Sequence, residues 1–228
     1  MNVMKRLHGE SSKNYALRVI RAKIGRLEIE PGSAVNEAEL GAELGMSRTP
    51  VHEAMKQLAQ IGIVEIRAQS GTYISQIDYD KVDEASFMRC AMECAVIELL
   101  CETATEKDIQ VLEESVSLQE YYLERNMPDK IMELDAELHR TFFEIANKKN
   151  AYEMVISMAI HFDRVRNMAA STQVDARTVR DHRELINLIA AHDAKSARAL
   201  MKKHLSQYRV DEQAIREKYP PHYFKQSK

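Results

Sequence analysis

The sequence has no tryptophan and only seven glycines and five prolines in 228 residues, and aromatic side chains make up 6% of it. So few chain breakers exclude a turn-rich architecture. With charged residues at 29% and Ala, Leu, Met and Glu abundant, the composition favours a mostly helical protein. Three cysteines, an odd number in a chain of this size, argue against a disulfide framework. No apolar run approaches the roughly 18 residues of a membrane span, and the first residues lack the basic-then-apolar order of a secretory signal. A soluble cytoplasmic protein with no membrane partner is expected. Neither sign of charge dominates: a net charge of −3 with a pI near 6.3 gives no overall pull towards nucleic acid.

The charge is unevenly spread. Residues 1–77 hold ten Lys/Arg against eight Asp/Glu, and the remainder holds 22 against 27. A basic front end on an acidic body points weakly to an N-terminal module that meets an anion. Chance variation on solvated faces would look the same.

Leu17, Ile20, Ile24 and Leu27 recur at helical spacing and predict a helix over 12–27. "EPGS" at 30–33 is a turn. Asn36 with Glu39 has the form of a capping box and opens a second short helix ending near Leu44, where Gly45 fits a stop. Ser47 can cap a third helix, with Pro50 tolerated in its first turn, running to Gly62. From residue 63 the period becomes 2: "IVEIR" and "TYISQI" alternate around "AQSG" and predict a hairpin. Three helices and a hairpin are the order of a winged helix-turn-helix, here assigned to 1–77. Residues 78–228 return to helical periodicity near 81–103, 106–125, 128–147, 150–171, 175–192 and 194–217. Their short connections imply an all-α antiparallel helical bundle. The tail 219–228 is expected to be loosely ordered.

In a helix-turn-helix the second helix enters the major groove, and its first turn meets base edges or phosphates. That turn carries Ser47, Arg48, Thr49 and His52. Arginine grips guanine or phosphate bidentately, hydroxyls reach phosphates, and a helix N-terminus favours an anion. The hairpin turn, with Ser70 and Gly71 and with Arg67 at its shoulder, can follow the minor groove. Taken alone, "SRTP" would read as an ordinary surface helix capped by serine. The order of the surrounding elements favours DNA.

The stretch from Gly25 to Ser75, with its Pro-Gly turn, "EAEL", "GMSRTPVHEA" and glycine-bearing hairpin, resembles the DNA-binding domain of GntR-family bacterial transcription regulators. The resemblance implies a cytoplasmic homodimeric regulator, most often a repressor, that reads a palindromic double-stranded operator. Two departures stand out: His52 and Ala38 replace arginines that commonly contact DNA in that family. They imply weaker contacts and a shifted operator preference.

In the helical half Asp135 and His139 lie four residues apart on one helix face, and His182 and His204 follow. One carboxylate and three imidazoles suit a divalent transition metal such as Zn, Ni or Mn, although any single histidine is more often a surface or hydrogen-bonded residue. Residues 80–217 resemble the ligand-sensing FCD domain of GntR regulators of the FadR type. That likeness implies Asp135, His139, His182 and His204 as metal ligands, with Asp181 before His182 in place of the usual Glu. It also implies a small organic acid as effector beside the metal. Arg89 is the candidate to grip the effector carboxylate, and equally a candidate ion-pair partner of Glu93 one turn on. Arg164, Arg166 and Asn187 are weaker effector candidates. Cys90, Cys94 and Cys101 share one helix face and are read as small packing residues. The expected function is a metabolite-responsive regulator and not an enzyme. The alternatives are a metal-responsive sensor and a mononuclear metallohydrolase, with a purely structural ion as the bland case.

Overall fold

The computed structural model describes residues 4–169, 176–206 and 212–226. The chain forms two compact units. The first contains residues up to Asp83, together with Ser157–Ala169 and the C-terminal stretch; the second contains Glu84–Ile156 and Ala170–Arg209. The division is therefore not a single cut at 77/78.

The first unit opens with α1, Ser12–Gly25, capped by Ser11, whose hydroxyl accepts from the Asn14 amide. Its buried stripe is Ala16, Val19, Ile20 and Ile24; of the residues expected on that face, Leu17 is half-buried and Leu27 lies beyond the helix at φ +61°. A two-residue strand β1, Ala34–Val35, follows, too short for any periodicity to reveal. Helix α2, Glu37–Glu43, is capped by Asn36, which accepts from the Ala38 and Glu39 amides. The expected box is closed differently: the Glu39 carboxylate accepts from the Asn36 side-chain amide and not from its backbone. Between α2 and α3, Arg48–Gln60, the chain turns tightly. A Cβ on Gly41 would lie 3.0 Å from the Met46 carbonyl, and Gly45 has φ +67°. A side chain at Gly41 would crowd that carbonyl, and the left-handed backbone of Gly45 favours glycine. Ser47 does occupy the N-cap of α3, but its hydroxyl makes no cap bond among the described residues.

The hairpin is β2, Val64–Arg67, and β3, Gly71–Ile74, paired antiparallel with Arg67 opposite Gly71. Strand β3 lies in the middle, with β1 on its other edge. Ile20, Ile24, Val51, Met55, Leu58, Ile63 and Ile74 form the core of this unit, joined by Ile160. That last residue explains why Ser157–Ala169 belongs here.

The tail is a correction. After helix α10 (Glu212–Lys218), residues 219–226, within the stretch expected to be loose, carry a 3₁₀ turn over Pro221–Tyr223. The Ile77 amide donates to the Tyr223 carbonyl at 2.7 Å, and the Lys225 amide donates to the Ile77 carbonyl at 2.9 Å. Tyr223 and Phe224 are buried, which supplies the apolar burial that a polar tail would lack.

The second unit is a helical bundle. It contains α4 (Tyr79–Thr103) from Glu84 onward, α5 (Glu106–Glu124), α6 (Pro128–Ile145), α7 (Lys149–Ala169) up to Ile156, α8 (Ala176–Ala190) and α9 (Ala194–Ser206). The helix ends expected at 171 and 175, and residues 207–211 of the helix expected over 194–217, lie outside the described residues. A full capping box at Thr105 and Asp108 starts α5. Helix α5 packs on α6 and α8, and α8 packs on α9. Ile97, Leu100, Leu112, Val116, Leu138, Phe142, Phe143, Leu185 and Met201 fill the interior, with Cys94 and Cys101 among them as small packing residues.

Candidate functional site

Three helices of the bundle carry a carboxylate and three imidazoles into this apolar interior. Asp135 and His139 come from α6, His182 from α8 and His204 from α9. All four are buried, and one ligand atom from each lies within 4.8 Å of the others. The imidazole centroids are 5.5 Å apart for His139 and His182, 5.5 Å for His139 and His204, and 4.8 Å for His182 and His204. Twice a metal–nitrogen bond is roughly 4.2 Å, so the set is close to the size of one coordination sphere.

The second nitrogen of two imidazoles is already fixed. His139 Nδ1 is hydrogen-bonded to the Glu93 carboxylate of α4, and His182 Nδ1 to Gln119 Oε1 of α5 at 2.7 Å. Gln119 donates its own amide to the Leu134 carbonyl at 3.3 Å, which leaves its oxygen to accept from His182. Both Nδ1 atoms are then donors, and both Nε2 atoms turn a lone pair inward. Neither Nε2 has a hydrogen-bond partner among the described residues, although both are buried. Burial pushes the His182 pKa down to about 3, against the pull of Asp135, and that of His204 down to about 4, helped by His139. Both are neutral at pH 7, the form that ligates a cation. The Glu93 carboxyl is pushed up by burial, but His139 and Arg89 outweigh that and hold it well below the usual range.

Glu93 and Gln119 were missed in the sequence. Glu93 appears there only as a neighbour of Arg89, and nothing local marks Gln119. Arg89 does pair with Glu93, at 2.6 Å, and so joins the cluster through it. Asp181 lies 3.6 Å from His204 Nδ1. Asn187 is not brought to the cluster: five residues beyond His182 it is on the exposed face of α8, near Glu184. Nor are Arg164 and Arg166, which belong to the first unit. Arg164 donates from Nη1 to the Ser75 carbonyl at 2.7 Å, and burial pushes its pKa down to about 10.

In the first unit Ser47, Arg48 and Thr49 are exposed at the start of α3, with His52 half-buried one turn on. Arg67, Ser70 and Gly71 are exposed on the hairpin, and the Arg67 guanidinium lies 4.3 Å from the Tyr73 ring centroid. His161, which had no role in the sequence, is fully buried and donates from Nε2 to the Ile61 carbonyl at the C-cap of α3, 2.9 Å away. Burial holds its pKa down to about 4. Between that value and the ordinary 6.5 the unfolded chain binds a proton that the native state refuses. His161 therefore contributes stability above pH 6.5 that is lost as pH falls towards 4. Unfolding free energies from urea titrations between pH 7.5 and 4.5 should fall more steeply for the wild type than for His161→Gln, by up to about 1.4 kcal/mol per pH unit. Parallel curves would contradict this role.

Comparison with known proteins divides the chain once, between residues 74 and 84. The family model described as bacterial regulatory proteins, gntR family, matches residues 15–74, and the FCD domain model matches residues 84–207. The chain is similar to the HTH-type transcriptional repressor RspR of Escherichia coli (strain K12), 30% identical over 201 residues and covering 88% of each chain. It is 26% identical over 184 residues to a probable D-xylose utilization operon transcriptional repressor of Paenarthrobacter nicotinovorans, covering 81% of this chain and 80% of that one. Among solved structures, E. coli McbR/YncC has the same fold at 17% identity, with a TM-score of 0.76 over 92% of this chain and 100% of that one.

Proposed function

The chain belongs to the GntR family of bacterial regulatory proteins and carries its FCD domain, and on that premise we propose that it is a repressor controlled by a small carboxylate bound at a divalent metal. It is a DNA-binding transcription regulator and not an enzyme, as its families and relatives are. That removes the metallohydrolase alternative. RspR and the Paenarthrobacter protein are both named repressors, which supports repression here.

The metal reading rests on one observation: two buried imidazole Nε2 atoms without a hydrogen-bond partner, in a cluster gathered from three helices. Left empty, such groups cost free energy, so a ligand for them is the economical account. Asp135, His139, His182 and His204 would hold a Zn, Ni or Mn ion, with Glu93 and Gln119 orienting two of the imidazoles. When bound, the ion supplies Lewis acidity and open positions for a carboxylate. Arg89, half-buried and joined to His139 through Glu93, is the side chain we assign to the effector carboxylate. Arg48, Ser47, Thr49, His52, Arg67, Ser70 and Gly71 are assigned to DNA. A homodimer would present this set twice, to two half-sites of a palindrome. For the effector to control repression it must bind the DNA-competent and incompetent states with different affinity.

The test is a thermal-shift screen of metal-loaded protein against mono-, di- and tricarboxylates, with H139A/H204A as control. The expected result is that one acid stabilises the wild type, not the control and not Arg89→Ala, and weakens binding to operator DNA. A strong shift with metal alone and none with any acid would replace this reading with a metal sensor or a structural ion.

A further inference from the structure

The residues assigned to the major groove are not independent of one another. Glu37, in the first turn of α2, is 5% exposed, and its carboxylate is the common acceptor for three side chains. Arg48 donates from Nε to Oε2 at 3.1 Å. His52 Nδ1 lies 3.1 Å from both oxygens, and Thr72 of β3 donates its hydroxyl to Oε1 at 2.9 Å. One buried carboxylate thus ties the recognition helix to the central strand of the wing.

The chemistry of each donor then follows. A carboxylate only accepts, so His52 must carry its proton on Nδ1, and Nε2 is left facing outward. With Nε of Arg48 engaged, its side-on edge is used, and the two terminal Nη atoms form the edge left for a base. That edge matches guanine O6 and N7. A long arginine loses rotamer freedom when it docks, and a guanidinium already held at Nε has less to lose.

We propose that Glu37 is a positioning residue for sequence discrimination: it presents Arg48 end-on and His52 Nε2-outward, so that the protein reads bases instead of merely gripping phosphates. This deepens the DNA reading above and rests on it. Burial raises the Glu37 pKa, but His52, Thr72 and Arg48 outweigh it and keep the carboxyl ionised. The same negative charge lowers indiscriminate affinity for a polyanion, a cost that a discriminating reader tolerates.

The experiment takes a duplex selected by the wild-type protein from a randomised pool and a scrambled duplex of equal composition. Affinity for both is measured by fluorescence anisotropy across salt concentrations, for wild type, Glu37→Gln, R48A/H52A and the triple variant. Glu37→Gln should lower the ratio of selected to scrambled affinity by about tenfold or more. It should leave scrambled binding equal or tighter, with the same salt slope. In the R48A/H52A background the Glu37→Gln change should no longer alter the ratio, which a purely structural role would not predict. If Glu37→Gln lowers the melting temperature severely, Glu37→Asp, which keeps the buried charge but shortens its reach, should give the same loss of ratio. An unchanged ratio, an equal loss on both duplexes, or the same loss without Arg48 and His52 overturns the proposal. A wild type that selects no duplex takes down the DNA reading itself, a distinct failure.

Discussion

His182→Ala is expected to abolish tight metal binding, lowering affinity at least about 100-fold, since one of the four proposed ligands would disappear from a buried site. His182 suits the test because it is fully buried, and its Nδ1 is already held by Gln119. Its Nε2 has no hydrogen-bond partner among the described residues. The imidazole thus arrives oriented and neutral, and alanine removes both properties. Metal content after dialysis, read by mass spectrometry, should fall from about one ion per chain to background. The thermal signature should follow. Excess metal at about 1,000 times Kd stabilises a native state by roughly 4 kcal/mol, so chelation should lower the wild-type melting temperature and leave His182→Ala unmoved. Glu93→Gln is the graded version: it keeps all four ligands but weakens the carboxylate that orients His139, and about a 10–100-fold loss is expected. Asn187→Ala, on the exposed face of the same helix, should change nothing. A His182→Ala protein that holds metal as tightly as the wild type would refute the assigned cluster.

Arg48→Ala is expected to remove most of the protein's preference for its operator. A bidentate arginine–guanine contact is worth about 1–3 kcal/mol. A symmetric dimer would use it at both half-sites, so the loss should be about 2–6 kcal/mol, a factor of tens to tens of thousands. The substitution should fold normally. The Arg48 side chain is 70% exposed, and Ala also favours helix over Arg. Its removal does strip one of three donors from buried Glu37, which still accepts from His52 and Thr72. Binding to scrambled DNA should weaken far less, by the single phosphate-range charge that is lost. Unchanged operator affinity would remove Arg48 from the reading head.

Much of this architecture was legible in the sequence because it is local. The change of period from 3.6 to 2 after residue 62 marks the hairpin, and Gly45, with φ +67°, is the helix stop that its position announces. Asp135 and His139 face one way because four residues make just over one helical turn. The winged helix-turn-helix and the helical bundle were therefore determined by periodicity, caps and motif order, while His182 and His204 joined Asp135 and His139 only through the resemblance to the FCD domain. The partners were not. Glu93 meets His139 across 46 residues of sequence, Gln119 meets His182 across 63, and Glu37 meets Thr72 across 35. The docking of the tail on Ile77 and the assignment of Ser157–Ala169 to the first unit are of the same kind. Each depends on how one element is rotated and shifted against another. That is set by the packing of whole apolar faces and leaves no periodic trace at the residue that benefits.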